Sequence, residues 1–121
     1  MKKFSFSYDK ENDDLFLYDP KSKSKGSVEV GDLILDFNHK KELVGIQIMN
    51  ASRYLKDISA SKETIAYMRT LLNGLKECKV DVTAKNNVMI IKIHLKNGSK
   101  QASPVISVPM FQDSSPAVAC I

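Results

Sequence analysis

The sequence predicts an α+β fold in a single domain, in which one main α-helix joins two antiparallel β-meanders, of about four strands and then about three. Three observations lead to this prediction. Residues 1–58 and 79–109 alternate apolar with polar side chains over short runs, which is the period of half-buried strands. Residues 61–77 instead repeat apolar side chains at helical spacing. The length of 121 residues suits one domain, with residues 110–121 as a tail.

Four strands are predicted in the first half of the chain. They are Phe4–Tyr8, Leu15–Tyr18, Val28–Phe37 and Leu43–Met49. The Lys- and Ser-rich residues 21–27 form a loop within one sheet, since seven residues are few for a linker between domains. The other connections have hairpin lengths, so neighbouring strands are predicted to be antiparallel. Gly45, inside the fourth strand, indicates a bulge or a close backbone approach.

The middle of the chain is predicted to be helical. Ala51–Asp57 forms a short helical segment after the N-cap types Asn50 and Ser52. The main helix begins near Ser61 and carries an apolar stripe. The stripe consists of Ile65, Met68, Leu71, Leu72 and Leu75. Gly74 leaves two ends open: the helix stops near Asn73 with Gly74 as a left-handed cap, or it continues to Glu77.

Three strands are predicted after the helix. The first runs through Val80–Ala84, and the second through Met89–Leu95, whose alternation is the clearest in the chain. Asn86-Asn87 and Asn97-Gly98 are turn signals on either side of the second strand. The third strand, Val105–Val108, lies between two prolines, which confine it to a sheet edge.

Composition is that of a globular protein, with 43% hydrophobic and 26% charged residues. The net charge of +4 arises in the second half, because residues 1–60 carry ten basic and ten acidic side chains and residues 61–121 carry eight and four. This excess is compatible with weak attraction to polyanions. Only Arg53 and Arg69 are arginines, however, and reading of base edges favours Arg, so the composition counts against nucleic-acid recognition.

A cytoplasmic location is predicted. Met1-Lys2-Lys3 resembles the start of a signal peptide, but no apolar segment follows it. No run approaches the roughly 20 apolar residues that cross a bilayer. Cys78 and Cys120 are too few for a disulfide framework and are predicted to be reduced.

Residues 6–52 resemble a family of small prokaryotic proteins known as domain of unknown function 2283. Three blocks carry the resemblance. They are Tyr8-Asp9 with Asp13 or Asp14 and Leu15–Leu17; Gly31–Asn38; and Leu43–Met49 with Ala51 and Ser52. Gln47 departs from the family pattern, which has Glu at that place. The family has no established activity, so the resemblance implies a fold, a prokaryotic source and, by analogy with relatives encoded beside small toxin-like proteins, a partner-binding role.

No catalytic residue, metal site or cofactor is predicted. Counted from Asp9, a calcium loop would need Gly and Glu where the chain has Asp14 and Pro20. His39 and His94 have no ligand-type neighbours at metal spacing. Cys78 lacks a histidine partner that the sequence can identify. The five glycines are scattered, so no phosphate-binding loop is present.

Three groups of residues are candidates for contacts. Asp36 and Gln47 form a candidate polar pair on one face of the sheet. Lys92, His94 and Lys96 share one face of a strand and form a candidate basic surface. The weakly charged end of the chain is a candidate partner edge. Its residues are Val105, Ile106, Val108, Met110 and Phe111.

The leading functional hypothesis is a non-catalytic interaction or regulatory module that binds a small protein partner or forms a homodimer. Two alternatives remain. One is a weak nucleic-acid-binding protein that uses the basic second half, and salt-dependent binding would distinguish it. The other is a small-ligand-binding protein or enzyme with a site between sheet and helix, which a thermal-shift screen of metabolites would detect.

Overall fold

The structure is a computed structural model that describes residues 1–59 and 63–110. These residues form strands and two helices in the following order. The elements are β1 (Lys2–Lys3), β2 (Ser5–Asp9), β3 (Asp14–Tyr18), β4 (Gly26–Val30), β5 (Leu33–Phe37), β6 (Leu43–Ile48), α1 (Ala51–Ile58), α2 (Ile65–Asn73), β7 (Glu77–Lys85), β8 (Val88–Asn97), β9 (Lys100–Ala102) and β10 (Val105–Pro109).

The strands form two antiparallel sheets of five strands each, which agrees with the α+β class. The first sheet has the order β2-β3-β6-β5-β4. The second has the order β1-β7-β8-β10, with β9 paired to β8. The predicted counts of four and three strands are not confirmed: in the first sheet β3 pairs with β6 instead of β4, and in the second sheet β1 and β9 are added to the three consecutively paired strands β7, β8 and β10.

Three strands escaped the sequence prediction: β1, β9 and one strand of the β4–β5 hairpin. The predicted strand Val28–Phe37 is a hairpin, β4 and β5, whose turn contains Gly31 at φ 58°. Glycine adopts this backbone readily, so the turn interrupts an apolar run without any polar cluster to mark it. β1 is two residues long and pairs Lys2 with Val80, so it is too short for alternation to reveal it.

One apolar core lies between the sheets and beneath the helices. The second sheet contributes the alternate residues of β8 that were predicted to face inward, and the first sheet contributes the inward residues of β3, β5 and β6. The fully buried large side chains include Leu15, Leu17, Leu33, Leu35, Ile46, Ile48, Leu55, Met68, Leu71, Leu72, Ile91 and Ile93. Burial of this kind stabilises the fold by roughly 1.5–3 kcal/mol for each large side chain.

The main helix is shorter than the predicted range 61–77. α2 begins at Ile65, and the residue before it, Thr64, is its N-cap. The Thr64 hydroxyl accepts a hydrogen bond from the Tyr67 N–H at 3.0 Å. It ends at Asn73, and Gly74 has φ −117°, so the predicted left-handed cap is wrong. The Asn97 side-chain amide donates to the Thr70 and Leu71 carbonyls at 3.1 and 3.3 Å, and this distant residue satisfies the end of the helix.

The predicted bulge and close approach at Gly45 are both present. The register between β5 and β6 shifts between Asp36 and Phe37, and Asp36 stands opposite Gly45. A Cβ at position 45 would lie 2.7 Å from Asp36 Oδ2 and 3.1 Å from Asp36 Cβ. Only glycine leaves room for the Asp36 side chain there.

Candidate interaction face

The outer side of the first sheet carries an exposed apolar centre. Phe16 and Ile34 both lie opposite Gln47, one on each side of β6. The Phe16 and Tyr18 rings stack at 5.0 Å between centroids and 25° between planes. Phe16 is 38% exposed, whereas its neighbours Leu15 and Leu17 are fully buried. β3 therefore carries two aromatic side chains on its outer face, opposite the leucines that it buries.

All charged residues in the five strands of the first sheet are carboxylates, and they lie on this same outer side. Asp9 stands opposite Asp14, Glu29 opposite Ile34, and Asp36 opposite Gly45. The Asp9 carboxylate accepts hydrogen bonds from the Asn12 side-chain amide at 2.7 Å and from the Glu11 N–H at 3.0 Å. We call the following residues the acidic face: Asp9, Asp14, Phe16, Tyr18, Glu29, Ile34, Asp36 and Gln47.

The predicted polar pair of Asp36 and Gln47 belongs to the acidic face, but the two residues are not direct cross-strand partners. Gln47 lies opposite Phe16 and Ile34, while Asp36 lies two residues further along β5. The Ser27 hydroxyl donates a hydrogen bond of 2.5 Å to Asp36 Oδ1. This contact joins β4 to β5, and Gln47 lies on the central strand β6.

A buried carboxylate, Asp13, anchors the hairpin between β2 and β3 to helix α1. Asp13 Oδ2 accepts hydrogen bonds from the Ser52 hydroxyl at 2.6 Å and the Ser52 N–H at 3.2 Å, and Oδ1 accepts from the Tyr8 hydroxyl at 2.6 Å. Its own carbonyl accepts from the Ala51 N–H at 2.8 Å. Asp13 thus supplies the acceptor for the start of α1, where the helix dipole favours a negative charge.

The surroundings of Asp13 keep Tyr8 as the hydrogen-bond donor. Burial, and then the hydrogen bond to Asp13, raises the pKa of the Tyr8 hydroxyl well above its usual range. Arg69 Nη2 lies 4.0 Å from Asp13 Oδ2, and the Arg69 side chain is 57% exposed. A cleft of about 430 Å³ opens here between Tyr8, Lys10, Glu11 and Arg69. The contacts of Asp13 with Tyr8 of β2 and Ser52 of α1 link these two elements and account for the burial of Asp13.

A second buried carboxylate, Asp19, follows the other end of β3. It accepts hydrogen bonds from Lys2 Nζ at 2.5 Å, the Lys21 N–H at 3.0 Å and the Ser22 hydroxyl at 2.8 Å. The Lys2 hydrogen bond and then the Lys21 N–H lower the pKa of Asp19 to about 2. Strand β3 of the acidic face is therefore flanked at both ends by buried, hydrogen-bonded aspartates.

The predicted basic surface lies on the outer side of the second sheet and is mixed in charge. Lys92 and Lys96 are exposed on β8, and His94 Nδ1 lies 3.0 Å from Ser103 Oγ. On β7 the residues opposite Lys92, His94 and Lys96 are, in that order, Asp81, Lys79 and Glu77. Two carboxylates thus alternate with the cations across the strand pair.

The predicted partner edge is divided by the structure. Ile106 and Val108 are buried in the protein's own core, at 5% exposure each, because β10 pairs with β8. Val105 is 48% exposed, and the Met110 N–H donates to the Asn87 carbonyl at 2.7 Å. Phe111 lies outside the described residues.

The remaining candidate groups have ordinary surroundings. His39 is exposed in the turn before β6. Cys78 is buried, and burial raises the pKa of its thiol to about 12. Cys120 lies outside the described residues. Within residues 1–59 and 63–110, no three His, Cys, Asp or Glu side chains form a group able to hold a metal ion. In the same part of the chain, neither helix has the length and apolar character needed to cross a membrane.

Residues 5–52 match the sequence model of a family described as "Protein of unknown function (DUF2283)". The resemblance predicted for residues 6–52 is confirmed. This segment contains the whole first sheet, the start of α1 and the Asp13 contacts with Tyr8 and Ser52. Of Asp13 and Asp14, which both fit the family pattern, the structure assigns these contacts to Asp13.

Two curated proteins are similar to parts of the chain. The uncharacterized protein MJ0789 of Methanocaldococcus jannaschii is 41% identical over 51 residues, which are 42% of this chain and 44% of that protein. A putative hypoxanthine phosphoribosyltransferase of Methanosarcina mazei is 24% identical over 95 residues, which are 78% of this chain and 71% of that protein. The match thus spans less than half of the first relative's length. No solved structure is significantly similar to the chain.

The sequence prediction missed Phe16, Tyr18 and Asp13 as site residues. A half-buried strand alternates apolar with polar side chains, but β3 has four consecutive apolar or aromatic residues, Leu15-Phe16-Leu17-Tyr18. This run is the signal that β3 carries apolar side chains on its outer face as well as on its core face. Nothing distinguished Asp13 from the other acidic residues of its turn. Its burial depends on α1, which lies far along the chain.

Proposed function

We propose that the chain is a non-catalytic interaction module that binds a positively charged partner protein through the acidic face. One observation carries the proposal: the stacked Phe16–Tyr18 pair, of which Phe16 is exposed, lies on a sheet face where every charged residue of the strands is a carboxylate. The proposal places this role in the cytoplasm, as the sequence predicts.

The composition of the acidic face suits protein recognition. Aromatic side chains at the centre of an interface supply most of the binding energy, and charged groups at its rim steer the partner and fix its orientation. Phe16 lies on β3, next to the central strand β6, and Glu29 lies on the edge strand β4.

The name of the Methanosarcina mazei relative suggests a different proposal, phosphoribosyl transfer. Phosphate groups commonly bind at helix N-termini. In the described part of the chain, these positions have internal acceptors: the Asp13 carboxylate at the start of α1 and the Thr64 hydroxyl at the start of α2. This arrangement favours an interaction module over a phosphate site at either helix.

Nucleic-acid binding through Lys92, His94 and Lys96 has weaker support. Asp81 and Glu77 stand beside this stripe, and Glu77 also forms a 3.7 Å ion pair with Lys79. Carboxylates repel phosphates, so the stripe offers fewer free cations than the sequence pattern suggests.

The test is a capture experiment with three versions of the full chain: wild type, Phe16→Asp on the acidic face, and Val105→Asp on the outer side of the second sheet. Both substituted residues are exposed, at 38% and 48%, so the two variants are matched in chemistry. Each immobilised protein is incubated with lysate of the native host at low and high salt, with and without nuclease. Captured proteins are identified by mass spectrometry.

We expect a basic protein to bind wild type and Val105→Asp, to be lost with Phe16→Asp, and to bind less well as salt increases. A partner retained by Phe16→Asp as strongly as by wild type would contradict the proposal. Capture that requires intact nucleic acid would support the nucleic-acid alternative instead.

A further inference from the structure

Strand β7 is longer than the strand that pairs with its outer edge. β1 covers only Lys79 and Val80, whereas β7 continues to Lys85. Among the described strands, none pairs with this edge beyond Val80. We call the segment Asp81–Lys85 the open edge. An unpaired edge is a template for another strand.

The backbone of the open edge points toward solvent at alternate residues. The Phe4 N–H donates to the Cys78 carbonyl at 3.0 Å across this edge, so every second residue of β7 from Cys78 presents its backbone groups there. Val82 and Ala84 are the residues of the open edge with this orientation. Thr83 bonds in the other direction, toward Ile90 of β8.

The side chains of the open edge also lack cover. Val82 is 37% exposed and Ala84 is exposed, although both lie on the side of β7 where Cys78 and Val80 are buried at 1% and 3% exposure. A cleft of about 400 Å³ extends from Val82 between the two sheets to Phe37 and Val44. A strand added at the open edge would cover the mouth of this cleft.

We propose that the open edge pairs antiparallel with the open edge of a second copy, about a two-fold axis at Thr83, and so forms a homodimer. Thr83 then faces the partner's Thr83. Val82 faces the partner's Ala84 on the core side and exchanges two backbone hydrogen bonds with it, and the symmetry repeats these bonds. Such a contact is isologous, with the same patch on both subunits.

The charges of the open edge select this register. In it, Asp81 faces the partner's Lys85 on the outer side, and the reciprocal pair forms by symmetry, so opposite charges meet twice. A shift that centres the axis on Val82 would require the partner's Lys85 to lie opposite Lys79, where Lys3 of β1 already pairs. A shift toward Ala84 leaves Asp81 beyond the end of the partner strand. Met1, which is 63% exposed, must move aside for the partner's Lys85.

The dimer is tested by sedimentation of the full chain over about 1–500 µM, because a short strand pair corresponds to a modest affinity. Ala84→Pro removes a hydrogen-bond donor at the open edge without touching the pairing of β7 with β8, and is expected to be monomeric. The matched control is Ser107→Pro on the outer edge of β10. The Ile93 N–H donates to the Pro104 carbonyl at 3.0 Å, so Ser107 directs its N–H away from β8, and this variant is expected to remain dimeric.

A charge exchange keeps the test valid if Ala84→Pro fails to fold. Asp81→Lys places Lys opposite the partner's Lys85 and is expected to weaken association at least tenfold, and the double variant Asp81→Lys/Lys85→Asp is expected to restore it. A monomeric wild type at the highest concentration would overturn the proposal, as would a dimer that Asp81→Lys leaves unchanged. Loss of the dimer in Ser107→Pro alone would assign it to β10. Phe16→Asp is expected to remain dimeric, which separates this result from failure of the proposed function.

Discussion

The two sheets share one core but differ in what they present to solvent. On the outer side of the first sheet the charged groups of the strands are carboxylates beside an aromatic pair, and strand β3, which carries that pair, is anchored at both ends by Asp13 and Asp19. The second sheet mixes charges on its outer side and leaves part of an edge unpaired. The difference suggests a division of roles: the first sheet offers a fixed face, and the second offers an edge for pairing.

The difference also has a physical basis in how each sheet is held. Buried carboxylates are stable only with hydrogen-bond partners, and Asp13 and Asp19 each have several. These contacts connect the first sheet to α1 and to Lys2 of the second sheet. β7 has no comparable anchor beyond Val80 among the described residues, and it depends on β8 for its pairing.

The largest expected effect tests the anchoring of the first sheet. Asp13→Ala should lower the free energy of unfolding by about 3 kcal/mol, because it leaves the buried Ser52 hydroxyl and N–H without an acceptor. Asp13 also has φ 56°, which alanine adopts less readily than aspartate. Urea denaturation followed by circular dichroism measures the loss.

The neighbouring Asp14→Ala is the control for this prediction. Asp14 lies on the outer side opposite Asp9, so its removal should change the free energy of unfolding by no more than about 0.5 kcal/mol. Equal losses for the two variants would show that Asp13 is not the anchor.

A smaller effect is expected at Gly45, where β6 approaches Asp36. Gly45→Ala should lower the free energy of unfolding by about 1–2 kcal/mol, since the new Cβ would meet Asp36 Oδ2 at 2.7 Å. In an Asp36→Ala background the same substitution should cost less, because the carboxylate is gone. A double-mutant cycle with no coupling between the two positions would contradict this account.

Asp19 should make the stability of the first sheet depend on pH. Because its pKa is lowered from 3.8 to about 2 in the folded state, its contribution is complete above about pH 5 and is lost as the pH falls toward 2. Asp19→Asn should therefore be less stable than wild type by about 1–2 kcal/mol near pH 6, and the difference should shrink below pH 4. A constant difference from pH 6 to pH 2.5 would show that ionisation of Asp19 contributes nothing.

The sequence predicted those elements whose residues carry their own signal. Met89, Ile91 and Ile93 alternate with polar residues, and the structure buries them as expected. Gly45 was expected to mark a bulge or a close backbone approach, since glycine inside a strand has no side chain to pack. Asp36 was expected to point away from Leu35, and it does so.

Elements that depend on distant residues could not be predicted. α2 ends where Asn97, more than twenty residues further on, binds its carbonyls. β1 exists because Val80 pairs with Lys2. The burial of Asp13 requires Ser52, and no local pattern separates Asp13 from Asp14. In each case the feature is determined by a contact with a residue distant in the sequence, and local propensity does not indicate it.

The smallest expected effect distinguishes a face kept for binding from one kept for stability. Phe16→Thr preserves strand propensity and should lower the free energy of unfolding by about 1 kcal/mol or less, because Phe16 is already 38% exposed. Leu17→Ala, at the next residue of the same strand, should cost about 2–5 kcal/mol because Leu17 is fully buried. If Phe16→Thr proves as costly as Leu17→Ala, the aromatic pair of the first sheet is structural. In that case only the open edge of the second sheet remains as a surface available for a partner.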